Sequence, residues 1–287
     1  MQKTLNYPSW ALPSWVCLHL LAIILLLMPG GCSKPNTPVP DLPGKPPVNT
    51  PGMTHPLLDS MVYNQLATTV YFAYRPDSLQ DSITTVSSYV SDTDRFVYNG
   101  RQLSRIYNQR LGRSTEYTYN AAGKIATTTI VGYADGDYQF EYAYDAAGKL
   151  KTLTYFLAKP TNKRLLGTYT YAYDGTGLLT KIKGSTTDGH SITTTIDAYS
   201  DECNFNPWAF IEPSDVNEMA EIYNLALMQD LKRLPVKITR TYSNEGVSRH
   251  FTTTIQDHNL SKMVMREEFS ARPQNNFQFN VDFFYRH

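Results

Sequence analysis

The stretch that decides the fold is "FEYAYDAAGKLKTL", Phe140 to Leu153. Its aromatic residues alternate with polar or small ones, and this period of two predicts a β-strand with one aromatic and one polar face. Asp145 and Gly148 then form a turn signal, because Asp can bond back to the backbone and Gly adopts positive φ without strain. The residues after Gly148 resume the alternation and predict an antiparallel return strand.

Other stretches repeat this hairpin pattern with a drifting period, since the turn glycines at 123, 148 and 177 are 25 and 29 residues apart. A drifting period favours a meander over a strict solenoid. With six further alternating runs, the sequence predicts about a dozen strands and an all-β fold, a curved, barrel-like antiparallel meander. The other hairpins are Arg95–Ile106, Tyr117–Thr128 and Tyr171–Ile182, and the further runs are 67–74, 191–199, 236–243, 248–255, 262–269 and 277–285.

One segment breaks the strand pattern. In residues 213–234, Asp215 and Glu218 stand at capping-box spacing and are followed by apolar residues at helical spacing, until Pro235 ends the run. The pattern predicts a single helix over residues 215–233. Its apolar face needs a partner, and an open end or an exposed face of the sheet is the natural candidate.

The amino terminus predicts export and lipidation. Residues 1–31 contain Lys3 and the apolar run Trp15 to Met28, which has the length of a signal-peptide core. The following "PGGC" resembles a bacterial lipobox, which implies cleavage before Cys32 and attachment of palmitate-type acyl chains to it, although Pro29 stands where an aliphatic residue is usual. A cysteine stranded in a cleaved signal and an uncleaved anchor remain alternatives.

The rest of the chain divides into a stalk and a domain. Residues 32–56 carry the acylated Cys and a proline-rich stretch that favours an extended stalk, and residues 57–287 carry the β domain. Three Asp-Ser-aliphatic triplets resemble the O-glycan acceptor of Bacteroidota envelope proteins; turn or cap serines are the alternative. The candidate acceptors are Ser60, Ser78 and Ser82.

The hairpin motif also carries a family resemblance. The pattern Tyr-x-Tyr-Asp-x-x-Gly-Lys-Leu at Tyr142 to Leu150 resembles the YD repeats of the Rhs type. Signal, lipobox, stalk, repeats, the dipeptide Asn206–Pro207 and the predicted helix together resemble a group of Bacteroidota lipoproteins with a porin-like domain of unknown function. This resemblance implies a barrel-like meander and an outer-membrane location, periplasmic or surface-facing. It transfers no catalytic or binding residues.

Composition and motifs favour no enzymatic chemistry. The chain has 26 basic and 26 acidic residues, which argues against nucleic-acid binding. No catalytic, cofactor-binding or metal-ligating pattern is present, so we expect no cofactor and no enzyme activity. Asp257 and His258 fit a turn better than a dyad, and Cys203 fits a small buried side chain. A hydrolase with scattered acids remains the weaker alternative.

The tyrosine ladders have two interpretations. They pack as a core, or they line a groove on which a glycan stacks. Charges on the opposite face, such as Glu141, Lys149 and Lys151, predict that this face meets water and that the barrel is not a membrane pore. The expected partners are the membrane, through the lipid anchor, and a glycan or an envelope protein.

Overall fold

The computed structural model describes residues 56–286 except 160, 217–218 and 243–244. The predicted signal peptide, Cys32 and nearly all of the stalk therefore lie outside the described residues. Within them the chain forms sixteen strands. The strands are β1 (Leu57–Tyr63), β2 (Thr68–Tyr74), β3 (Gln80–Val86), β4 (Ser91–Asn99), β5 (Gln102–Asn108), β6 (Arg113–Tyr119), β7 (Ile125–Val131), β8 (Asp137–Tyr144), β9 (Leu150–Lys159), β10 (Asn162–Tyr173), β11 (Leu179–Thr186), β12 (Ser191–Glu202), β13 (Arg233–Tyr242), β14 (Glu245–Gln256), β15 (Asn259–Phe269) and β16 (Phe277–Arg286).

The strands form one closed antiparallel barrel. Each strand pairs with the next along the chain, and β1 closes the sheet by pairing with β16. The all-β, barrel-like meander is thus confirmed, and the sheet closes completely. The sequence alone missed β1 and β3, in which polar residues such as Asp59 and Asp81 interrupt the apolar alternation.

Alternate residues of each strand point into the barrel. Phe96 of β4 contacts Trp208 at 5.0 Å between ring centroids, and Phe251 of β14 contacts Phe210 at 6.4 Å. The neighbours of these strand residues point outward, and there threonines pair across strands, as Thr118 and Thr127 do at 2.7 Å between hydroxyl oxygens. Aromatic and aliphatic side chains therefore face the interior, and polar side chains dominate the outer wall.

Residues 203–232, the inner segment, connect β12 to β13 and enter the barrel. Two short helices lie in it, a 3₁₀ turn at Pro207–Ala209 and α1 at Leu225–Met228. A helix is therefore present where the sequence predicted one, but it is a single turn that begins after the N-cap Asn224. No helix in the described part of the chain is long and apolar enough to cross a membrane.

Contacts with the wall explain the shortened helix. Asp215, the predicted cap, binds Arg113 of β6, 2.8 Å away. Met219 has φ of +58°, which interrupts a helical path. The Tyr223 amide donates to the Met219 carbonyl oxygen at 3.0 Å and closes a single turn. Tertiary contacts thus override the local helical pattern.

The two ends of the barrel differ. Because the strands alternate in direction, Leu57 and all the repeat turns, such as 120–124, 145–149 and 174–178, lie at one end, here called the repeat end. The inner segment also enters there. The opposite end, here called the far end, carries the connections between β3 and β4 and between β5 and β6.

Candidate functional site

The repeat turn is built by its acidic or amide residue. Asp145 Oδ1 accepts hydrogen bonds of 2.9 Å from the backbone amides of Ala147 and Lys149. Gly148 closes the turn with φ of +76°, a conformation that a Cβ would strain. Asn120 and Asp174 make the equivalent bonds in the neighbouring repeats. The Asp or Asn and the Gly of each repeat therefore fix the conformation of the hairpin turn.

The repeat tyrosine completes the sheet. Strand β8 pairs with β7 only from Thr127 onward, so Ile125 has no strand partner on that side. The Tyr144 hydroxyl instead donates to the Ile125 carbonyl oxygen at 2.8 Å. Burial raises the pKa of Tyr144, which keeps the phenol protonated as a donor. The same bond recurs around the barrel, in the pairs Tyr119 to Leu103, Tyr173 to Leu150, Tyr199 to Leu179 and Tyr285 to Leu260.

The repeat lysine contacts the next repeat. Lys124 lies 5.8 Å from the ring centroid of Tyr144, and Lys149 lies 5.2 Å from that of Tyr173. Tyr171 is buried, with 8% of its surface exposed, and its hydroxyl donates to the Glu221 carbonyl oxygen at 2.6 Å. Tyr171 is therefore part of the core, whereas Tyr144 and Tyr173 are half-buried with their hydroxyls bonded to the wall. The groove interpretation gains no support from these contacts.

Polar side chains of the wall hold the inner segment. Asp94 of β4 accepts from the Ser214 hydroxyl at 2.5 Å, and the Thr115 hydroxyl donates to the Pro213 carbonyl oxygen at 2.6 Å. Lys124 pairs with Asp230 at 2.6 Å. Further contacts join Asn206 to Tyr74 and Gln80, and Asp215 to Tyr133.

A buried carboxylate is central to this attachment. Glu221 has 1% of its surface exposed and accepts hydrogen bonds from Arg240 Nε at 2.8 Å and from the Thr194 hydroxyl at 2.9 Å. A second buried pair joins Arg249 of β14 to Glu267 of β15, with Nε to oxygen at 2.6 Å. Glu268 points outward and pairs with Arg266, so the two adjacent glutamates face opposite sides as expected.

Sequence reasoning missed these inward charges. Arg240 lies two residues after Ile238, which is fully buried, and therefore shares its face of β13. The signal that could have identified Arg240 is a charged residue on the face of a strand that otherwise carries core residues. Glu221 carries no such signal, because its segment is not a strand.

The interior offers little free space. A cavity of about 40 Å³ lies between the inner segment and strands β6 to β8, beside Tyr142 and Tyr223. Such a volume holds only one or a few waters. It is far below the volume of ligand pockets, which measure roughly 300 to 1,000 Å³. Glu212 and Asp215 both line it, but no substrate fits between them, and Asp215 is already bound to Arg113. The hydrolase alternative gains no support here.

The predicted modification residues differ in position. Cys32 lies outside the described residues. Ser60 is in β1 and has 8% of its surface exposed, whereas Ser78, in the turn before β3 with φ of +67°, and Ser82, on β3, are half-buried. Glycosylation at all three stays a prediction, and the folded barrel gives better access to Ser78 and Ser82.

The remaining candidates are structural in the described part of the chain. Cys203 is buried, and burial raises the pKa of its thiol. Asp257 and His258 both have positive φ in the tight turn between β14 and β15, which agrees with the turn interpretation. Among residues 56–286, apart from the gaps, no group of three or more His, Cys, Asp or Glu side chains could hold a metal ion.

The outer wall carries a larger opening. A cleft of about 380 Å³ lies at the far end of β4 and β5. It is lined by Ser91, Asp92, Thr93, Arg95, Tyr107, Gln109 and Arg110. Polar and charged groups thus line this cleft at the far end, and Arg95 and Tyr107 are on its outer face.

The barrel is similar to two porin-like proteins from Bacteroides. The one from Bacteroides uniformis ATCC 8492 has a TM-score of 0.50 and 15% identity over 80% of this chain and 95% of that chain. The one from Bacteroides vulgatus ATCC 8482 has a TM-score of 0.52 and 12% identity over 80% of this chain and 98% of that chain. The TM-scores show a similar fold, and identities this low show nothing beyond it.

Neither a scan against protein-family models nor a search of curated proteins gives a match.

Proposed function

We propose that this chain is a non-catalytic, lipid-anchored β-barrel of the cell envelope that works through its outer surface. The observation that carries the proposal is the inner segment: it enters the barrel, residues such as Ile222 and Leu227 are buried there, and the cavity beside it measures about 40 Å³. A barrel filled in this way offers neither a water-filled pore nor a ligand chamber. It serves as a rigid scaffold for the groups on its wall.

The polarity of the wall supports a position in water. Lys183 on β11 stands between Thr170 and Thr193 on the two adjacent strands, and all three point outward. Lys262 and Arg266 on β15 have 69% and 60% of their side chains exposed. A lysine or arginine that faces lipid at mid-depth costs roughly 2 to 4 kcal/mol, so a wall with several of them is suited to water.

Attachment to the membrane is supported by the lipobox-like sequence alone. Acylation at Cys32 would hold the water-exposed barrel at the outer membrane, facing the periplasm or the cell surface, because buried acyl methylenes contribute roughly 0.8 kcal/mol each. The barrel itself would then need no contact with the hydrocarbon core.

Two measurements test the proposal. Cys32→Ala should move the protein from the membrane fraction to the soluble fraction, whereas Cys203→Ala should leave it membrane-bound. Purified full-length protein added to planar bilayers should give no conductance steps. Persistent membrane attachment of Cys32→Ala would overturn the lipid anchor, and reproducible channels would overturn the filled scaffold.

A further inference from the structure

The outer cleft places the aromatic ring of Tyr107 beside the guanidinium of Arg95. Arg95 on β4 stands directly opposite Tyr107 on β5, so their side chains are cross-strand neighbours on the outer wall. Tyr107 has 37% of its surface exposed. Arg105 lies 5.5 Å from the ring centroid and is itself held by the Ser114 hydroxyl at 3.1 Å. The ring is thus supported from one side while part of it stays open to solvent.

The charges of the cleft leave one unpaired guanidinium. Arg110 is bound to Asp92, with nitrogen and oxygen 2.5 Å apart. Arg95 is exposed and has no ion-pair partner within the described ranges. Ser91, at the parity of Arg95, and Gln109, at the parity of Tyr107, add a hydroxyl and a planar amide at the same rim. A ligand here therefore meets one free positive charge, several hydrogen-bonding groups and one aromatic surface.

We propose that this cleft binds an acidic saccharide. The sugar carboxylate pairs with Arg95, a pyranose face lies against Tyr107, and hydroxyl groups bond to Ser91 and Gln109. The proposal rests on the proposed function, because it requires that the outer wall is the working surface. The volume of about 380 Å³ lies at the lower end of the range for small-molecule sites, which suits a short saccharide.

Two other ligand classes fit less well. An extended peptide commonly binds by adding a strand to a free sheet edge, and the closed barrel formed by the described residues offers no such edge. A nucleic acid needs a run of unpaired basic groups, whereas this cleft pairs Arg110 with Asp92 and leaves Arg95. An aromatic surface beside polar planar groups is the chemistry that recognises sugar rings.

Calorimetry on the full chain in detergent tests the proposal, with trigalacturonate as the probe. Maltotriose serves as the neutral saccharide and triglutamate as the acidic peptide. We expect binding of trigalacturonate, at least tenfold weaker binding of maltotriose, and no binding of triglutamate. Arg95→Gln should weaken trigalacturonate binding about tenfold, the effect of losing one charge-assisted pair. Tyr107→Ala should weaken it as well.

The same hairpin supplies the matched control. Arg101 is exposed in the turn between β4 and β5, at the repeat end, so Arg101→Gln makes the same charge change away from the cleft. Absence of trigalacturonate binding, equal binding of triglutamate, or equal effects of Arg95→Gln and Arg101→Gln would each overturn the saccharide site. Because the assay uses detergent-purified protein, its result is independent of the Cys32→Ala fractionation that tests membrane attachment.

Discussion

The hydroxyl of Tyr144 donates a hydrogen bond of 2.8 Å to the carbonyl oxygen of Ile125, which begins strand β7. This carbonyl lies just beyond the point where β8 stops pairing with β7. Without the phenol it would be a buried acceptor with no backbone donor. The repeated tyrosine is thus explained by the strand that it completes, which belongs to the preceding hairpin.

Removing this hydroxyl should destabilise the barrel. We expect Tyr144→Phe to lower the free energy of unfolding by about 1 to 3 kcal/mol, because it leaves the Ile125 carbonyl unsatisfied while the ring stays in place. Urea denaturation followed by fluorescence measures the change. Tyr89→Phe is the control, since Tyr89 has 81% of its surface exposed, and it should change stability by less than about 0.5 kcal/mol. Equal stability of the two variants would contradict the role of the phenol.

A close contact between Tyr169 and Gly184 gives a second prediction. The two residues are paired across β10 and β11, and a Cβ on Gly184 would stand 2.4 Å from the Tyr169 ring. Gly184→Ala should therefore force the ring to move and cost about 1 to 3 kcal/mol of stability. Gly175→Ala is the control, because a Cβ there meets nothing within 4 Å. The thermal midpoints of the two variants should differ; coinciding midpoints would show that the ring yields freely.

The hairpins were predictable because their signals are local. Alternating tyrosines, an Asp or Asn and a positive-φ glycine specify a turn and two strands without help from the rest of the chain. The inner segment was not, because its conformation depends on distant partners. Asp215 was predicted to cap a helix, but Arg113, 102 positions away in the sequence, binds it at 2.8 Å. The closure of β1 on β16 is likewise a pairing of distant strands.

The outer cleft was also hidden in the sequence. Arg95 and Tyr107 are 12 positions apart in one hairpin, and only the register of β4 and β5 makes them neighbours. A one-residue slip of that register would turn one of them into the barrel. The bulge between Val97 and Tyr98 sets this register, and no local sequence pattern predicts this bulge.

Asp94 predicts a pH dependence. Burial raises the pKa of this carboxyl, and the hydrogen bonds from Ser214 and Asn108 oppose the shift only in part. A raised folded-state pKa stabilises the protein at acidic pH, and this stabilisation is lost as the pH rises through that pKa. Asp94→Asn keeps an acceptor oxygen and does not ionise. We therefore expect it to be more stable than the parent protein at neutral pH.

The pH profile distinguishes this effect from a general one. Thermal midpoints measured from about pH 4 to pH 8 should show the advantage of Asp94→Asn shrinking as the pH falls toward the unfolded-state pKa of about 3.9. Asp81→Asn, at an exposed position on β3, should show no such trend. An advantage for Asp94→Asn that stays constant over the whole range would rule out the carboxyl as its cause.

The attachment of the inner segment gives the last prediction. Glu221→Leu removes the carboxylate that Arg240 contacts at 2.8 Å, so the largely buried guanidinium loses this ion pair. We expect a loss of about 3 kcal/mol or more in the free energy of unfolding. The double variant Glu221→Leu/Arg240→Leu removes both charges, and it should be more stable than Glu221→Leu alone because the desolvated guanidinium is gone.

A surface pair calibrates this measurement. Lys262 lies 3.7 Å from Asp282 on the outer wall with 69% of its side chain exposed, so Lys262→Leu should cost at most about 1 kcal/mol. The single variant Arg240→Leu completes the cycle, and urea denaturation of the parent, the two single variants and the double variant yields the coupling energy between Glu221 and Arg240. If Glu221→Leu costs no more than Lys262→Leu, the buried carboxylate is not what fixes the inner segment inside the barrel.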